Sequence, residues 1–134
     1  MQDSIFTRII KGEIPAHRIY EDDKTLAFLD IFPKSHGHSL VVPKIQIDRF
    51  YDLPDEDYTA LFATVKKMAA HMEKVFGRRT IVKIIGTDVP HAHVHLFPYD
   101  PNYVGGREPS RADDAELAKL AEKLRFVEPD QDVL

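Results

Sequence analysis

Apolar residues recur at steps of three and four through PDEDYTALFATVKKMAAHMEKVF, residues 54–76, placing Tyr58, Leu61, Phe62, Val65, Met68, Ala69, Met72, Val75 and Phe76 along one helical stripe. Pro54 and the acidic run Asp55–Asp57 suit the first turn of that helix, and Gly77 suits its stop. A shorter stripe, Ile5, Phe6, Ile9 and Ile10 in SIFTRIIKG, predicts a helix ended by Gly12. Asp113 to Arg125 predicts a third, with Asp113 and Glu116 in capping-box spacing and Leu117, Leu120, Ala121 and Leu124 on one face. Between the first two lie EIPAHRIYEDD and KTLAFLDIFP, two strands joined by the polar turn Glu21–Lys24, and then HSLVVPK, where Pro43 marks an edge or a strand end. Residues 79–86 and 91–97 read as two more strands, and PYDPNYVGGREPS as a loop. The pattern predicts one α+β domain over residues 1–134: a mostly antiparallel sheet of about five strands covered by one long helix.

Composition narrows the function classes. With 43% hydrophobic and 30% charged residues the chain reads as a soluble globular domain, and no run reaches transmembrane length. A net charge of −4 gives no reason to expect nucleic acid or an anionic membrane as partner. The absence of cysteine excludes disulfides, thiolate nucleophiles and Cys-based zinc sites, and fits a reducing compartment. Charges at Asp3, Arg8, Lys11 and Glu13 interrupt any apolar leader, so a cytoplasmic protein is expected.

The candidate chemistry sits in PHAHVHLFP, residues 90–98, which holds three of the seven histidines. Side chains alternate along a strand, so His91, His93 and His95 share one face at steps of about 6.5–7 Å, while Ala92, Val94 and Leu96 face the long helix. Such a row could line a small cleft. Two chemistries suit it: imidazoles two apart on a strand can share a zinc ion, or a neutral imidazole can attack phosphorus while its neighbours donate to phosphate oxygens. The residues alone leave both open. His17 and His71 read as surface or boundary residues.

HAHVHLF resembles the histidine triad (HIT) signature, His-φ-His-φ-His-φ-φ with φ hydrophobic. IFTRIIKGEIPA, YEDDKTLAFLDIFP, GHSLVVPK and the long helix precede it in the order of the Hint-like branch of that superfamily, so the likeness runs from about Ser4 to Pro98. The resemblance implies a HIT-like fold and a nucleotidyl hydrolase or transferase acting at the α-phosphorus of a nucleotide. By that likeness His93 is the nucleophile, forming a covalent nucleotidyl-imidazole that water hydrolyses. His95 contacts the phosphate or the leaving group, His91 orients its neighbours, and His38 is the upstream fourth histidine, with His36 a turn residue beside it. Asp30 matches the acid that accepts the ribose hydroxyls; Phe28, Ile31, Phe6 and Ile9 match apolar positions around the base, and suit ordinary core packing equally well. The substrate implied is a purine nucleotide of AMP type, the reaction cleavage of a nucleoside phosphoramidate, and the assembly a homodimer, with no metal or other cofactor. The neighbouring readings are a dinucleoside polyphosphate hydrolase, a nucleotide-binding protein with weak catalysis, and a His-metal protein.

One segment departs from the pattern. Hint-like enzymes carry a longer glycine-containing loop before the triad, with an Asn and then a Gln or Ser that contacts the leaving group; here the segment is IIGTDVPH. Asp88 stands at the approximate Ser/Gln position and could only accept hydrogen bonds when ionised, while a protonated Asp88 could serve a departing amine and Thr87 could supply the hydroxyl. Lys44 reads as a solvated strand-end charge. Arg107 and Arg111, in GGREPSR, lie within loop reach of a phosphate.

Overall fold

The computed structural model describes residues 2–102 and 110–126. Three α-helices and five strands run in the order α1 (Ile5–Ile10), β1 (Arg18–Glu21), β2 (Thr25–Leu29), β3 (Ser39–Pro43), α2 (Asp55–Phe76), β4 (Thr80–Lys83), β5 (Val94–Pro98) and α3 (Asp114–Leu124). A 3-10 turn, Phe50–Asp52, precedes α2. All four pairings are antiparallel and the sheet order is β1-β2-β3-β5-β4. The expected α+β architecture is present, and β3, despite Pro43, is a central strand that the proline closes at its last residue.

Both faces of the sheet are covered, which is why β2, β3 and β5 are buried along their whole length instead of alternating. On one face, Ala27, Leu29, Val41, Val94 and Leu96 pack against Leu61, Val65, Met68 and Met72 of α2 and Leu117, Leu120, Ala121 and Leu124 of α3. On the other, Leu26, Phe28, Leu40 and Val42 pack against Phe6 and Ile9 of α1. α2 ends where Gly77 turns left-handed at φ 68° and returns its N–H to the Glu73 carbonyl. α3 begins where the Asp113 side chain accepts from the Glu116 N–H, as the capping spacing predicts.

Strand ends depart from the sequence pattern. Residues 79–86 yield strand only over Thr80–Lys83, since the last pair with β5 is Lys83 with His95. The expected strand over 91–97 begins only at Val94, and His91 and His93 precede it. Here β3 and β5 part company: the ladder ends at Val41 with Val94. The Ala92 N–H turns to the Ile47 carbonyl and the His91 N–H to the Val89 carbonyl. The Pro43 carbonyl, left without a strand partner on that side, is taken by the His91 ring, whose Nε2 lies 2.8 Å away.

Candidate functional site

The register that pairs Leu40 with His95 puts His95 on the α1 face, beside the smaller core. His93 follows it, their ring centroids 5.2 Å apart, and Phe6 meets the rings of both His93 and His91 edge-on at 5.0 and 5.8 Å. The predicted shared face therefore holds: all three imidazoles and His38 are buried, and His93 and His95 line a pocket. Their hydrogen bonds fix nearly every ring nitrogen.

His91 Nε2 must donate, because its partner is the Pro43 carbonyl; Nδ1 is then an acceptor and receives the Ser4 hydroxyl at 2.7 Å. Ser4 is also the N-cap of α1, accepting from the Thr7 N–H, and its own N–H donates to Gln46 Oε1. Burial pushes the His91 ring below its ordinary range. His93 Nδ1 lies 2.7 Å from the His91 carbonyl and must donate to it, which leaves the lone pair on Nε2. That Nε2 stands 3.1 Å from Asp88 Oδ1.

A second chain starts at the backbone. The Lys34 N–H donates to His38 Nδ1 at 3.0 Å, so the His38 proton sits on Nε2, which points at His95 Nδ1 at 3.0 Å with Asp30 Oδ2 at 3.5 Å. His95 Nδ1 is thereby an acceptor and its proton resides on Nε2. That Nε2 is the one buried side-chain nitrogen or oxygen among the described residues without a hydrogen-bond partner. Burial first, then the neighbouring imidazoles, holds His38 down at about 3 and His95 at about 4, so both are neutral near pH 7. Burial moves Asp30 the other way, above its usual range, although its Oδ1 accepts the Phe32 N–H.

His93, His95, Asp30 and Asp88 form the polar end of a pocket of ≈ 260 Å³ whose other walls are Phe6, Ile9, Phe28, Ile31 and Leu40. It opens past the exposed Ile31 and Asp88. The sequence-derived set is thus largely brought together, with exceptions. His91 does not line the pocket and acts from behind His93. Thr87 falls in a neighbouring cavity of ≈ 420 Å³ that His93 also lines, with Arg49, Tyr51, Ile84 and Ile85. Arg111 turns to the Ala112 carbonyl and to Asp114, which His17 also approaches, so it is spent on the start of α3. Arg107 lies outside the described residues. Lys44 pairs with Glu21 at 2.8 Å, so it is not simply solvated. His36 sits in the turn as expected, its ring edge-on to Phe76, and His71 bonds the Leu124 carbonyl at the α2–α3 boundary.

A HIT domain family model matches residues 11–102 of the chain. The chain belongs to the HIT domain family. An uncharacterised HIT-like protein of Methanocaldococcus jannaschii is 38% identical over 128 residues, 92% of this chain and 97% of that one. The adenosine 5'-monophosphoramidase of Saccharomyces cerevisiae is 34% identical over 125 residues, 90% of this chain and 79% of that one. Among solved structures, a HIT-like protein from Bartonella henselae, involved in cell-cycle regulation and crystallised with an unknown ligand, superposes with a TM-score of 0.81 at 32% identity, covering 92% of this chain and 94% of that one. A zinc-bound histidine triad family protein from Mycobacterium smegmatis gives a TM-score of 0.75 at 29% identity over 90% of this chain and 89% of that one.

In this HIT protein two donor sets converge within 4.8 Å, Asp88 with His93 and His95, and Asp30 with His38 and His95. A cation in the second set would have to displace the His38–His95 bond, because His38 Nδ1 already accepts from Lys34. The first set asks for the same change, since a cation on His95 Nε2 would move that ring's proton to Nδ1, where it would meet the His38 Nε2–H. Ser4, Gln46 and the Lys34 N–H carry the orientation of the triad and were missed in the sequence. Ser4 was findable as a cap before the Ile5–Ile10 stripe; Gln46 and a backbone N–H leave no sequence signal.

Proposed function

We propose that the protein is a nucleotidyl hydrolase that cleaves a purine nucleoside phosphoramidate at its P–N bond through a nucleotidyl-His93 intermediate. The observation that carries this reading is the pair of ring nitrogens at the pocket floor: His93 Nε2 with its lone pair, and His95 Nε2–H with no partner. One is a nucleophile and the other a donor for the oxygen that gains charge as phosphorus is attacked, a contact worth about 10²–10³ in rate. The two burials that keep His38 and His95 neutral also keep that donor in place without charging the pocket.

The walls suit an aromatic base, which would lie against Phe6 and Phe28, themselves in tilted contact at 5.7 Å. Asp30 stands at the pocket end, where it would accept ribose hydroxyls. Similarity to the yeast monophosphoramidase supports an AMP-type substrate and a P–N leaving group. A homodimer is part of the same reading: β4 is a sheet edge, and Val82, Ile84, Ile85 and Tyr51 lie exposed beside it. No helix among the described residues is long and apolar enough to cross a membrane.

The test is hydrolysis of an adenosine phosphoramidate beside a diadenosine polyphosphate by wild type and His93→Ala. Preferred turnover of the phosphoramidate, an acid-quenched adenylyl adduct of wild type, and loss of both in the variant are expected. Preference for the polyphosphate would keep His93 but move the reading to a dinucleoside polyphosphate hydrolase. The zinc-bound relative motivates a chelator arm: activity that disappears in chelator and returns with zinc would overturn the metal-free mechanism.

A further inference from the structure

Ser4, Thr7 and Gln46 line neither of the cavities beside His93, yet they converge on His91 from behind. Gln46 belongs to the loop after β3 whose Pro43 and Ile47 carbonyls take the His91 ring and the Ala92 N–H. Its amide fits only one way round. Oε1 receives the Ser4 N–H at 2.8 Å and the Thr7 hydroxyl at 2.6 Å, while Nε2 donates to the Gln2 carbonyl at 2.9 Å. Turned over, the amide would set donor against donor at Ser4 and oxygen against oxygen at Gln2.

That orientation decides where two hydroxyl protons go. His91 Nδ1 has one lone pair and two hydroxyls near it, Ser4 Oγ at 2.7 Å and Thr7 Oγ1 at 3.3 Å. Thr7 has a single proton and gives it to Gln46, so the ring receives the Ser4 proton, and Ser4 Oγ in turn accepts the Thr7 N–H at 3.0 Å. A second circuit would use the same groups. With no acceptor at position 46, the Thr7 proton turns to His91 Nδ1, and Ser4, 3.2 Å from Thr7 Oγ1, gives its own proton to Thr7. That circuit draws the ring from Ser4 toward Thr7.

We infer that Gln46 is a positioning residue: by holding the Thr7 proton it makes Ser4 the donor to His91, and so fixes the residue whose carbonyl seats His93. The inference rests on the hydrolase reading above and adds to it a residue that touches no substrate. Phe6 lies between Ser4 and Thr7 on α1, its ring against both His91 and His93, so the same amide also ties the apolar wall to that seat.

The experiment compares wild type with Gln46→Leu, Thr7→Val and the double variant, each first checked for cooperative thermal unfolding; Gln46→Met replaces Gln46→Leu if the latter does not fold. Two quantities are read: kcat and KM for an adenosine phosphoramidate, and the imidazole ¹⁵N resonances of His91 without substrate. Gln46→Leu should lower kcat about tenfold at nearly constant KM, the effect of a slightly misplaced reacting group, and should move the His91 Nδ1 resonance. Thr7→Val should cost much less, because valine has no proton to misdirect. The double variant decides the matter. With the rival hydroxyl gone, Ser4 is again the only donor, so kcat and the resonance should return most of the way to their Thr7→Val values instead of falling additively. A double variant as impaired as Gln46→Leu, or worse, overturns the proposal. So does a raised KM at unchanged kcat, which would make Gln46 a brace for Phe6 alone. Wild type that neither turns over the phosphoramidate nor forms an adenylyl adduct sinks the hydrolase reading and the role of Gln46 within it. The His91 resonances keep that failure distinct, since they report the choice of hydroxyl without any chemistry.

Discussion

His93 and His95 stand two residues apart, yet their Nε2 atoms are held in opposite ways. His95 is set by a relay rooted in the main chain, from the part-buried Lys34 N–H through His38, and both imidazoles are buried. His93 is seated at Nδ1 by the His91 carbonyl, but its Nε2 faces a solvent-exposed carboxylate on an irregular segment. The difference separates what the scaffold fixes from what a loop can tune. The placement of His95 Nε2–H is built into β3 and β5; the environment of His93 Nε2 is written in a stretch that can change without disturbing the sheet.

The largest expected effect removes the exposed-side partner altogether: His93→Ala should lower phosphoramidate kcat by at least ~10³-fold, about 4 kcal/mol of barrier, measured by steady-state turnover. Next, His38→Ala should cut the buried relay. His95 then loses the bond that fixes its tautomer, and kcat should drop by about 10²–10³ with little change in KM. A fall in KM affinity without a fall in kcat would mean that the relay only shapes the pocket.

The third prediction concerns pH and only the buried side. His38 and His95 titrate near 3 and 4 in the fold and near 6.5 in an unfolded chain. Between those limits the unfolded state binds more protons, so stability is full above about pH 6.5 and declines as the pH drops toward 4. The slope is up to about 1.4 kcal/mol per pH unit for each histidine. Asp30, raised by burial, offsets part of that loss at the acid end. Urea midpoints from pH 7.5 to 4.5 check this, and a flat profile would refute the assignment of both imidazoles as buried and neutral. The smallest effect is Ser4→Ala, which removes the α1 cap and the donor to His91. About 1 kcal/mol is expected, a drop of a few degrees in Tm.

Legibility in the sequence followed periodicity. α2 was predicted over 54–76 and spans Asp55–Phe76, because apolar spacing, acidic first turn and Gly77 agree over its whole length. The face shared by the histidines was readable for the same reason: period two survives even where strand hydrogen bonding does not. The early end of the β3–β5 ladder was not readable, since it depends on Ile47 and Val89 carbonyls capturing the N–H groups of Ala92 and His91. Nor was burial of the row, because only the packing of α1 closes that face. Thr87 and Asp88 are neighbours in the sequence but line different cavities, which an irregular backbone decides and no pattern announces.

α1 is six residues long, too short to persist in water by itself. It stays wound because Ser4 closes onto His91 and because Phe6 wedges against two imidazoles. The apolar wall that Phe6 provides and the first histidine of the triad are therefore braced against each other, and that same His91 gives its backbone carbonyl to His93 Nδ1, so the two ends of the pocket share one residue.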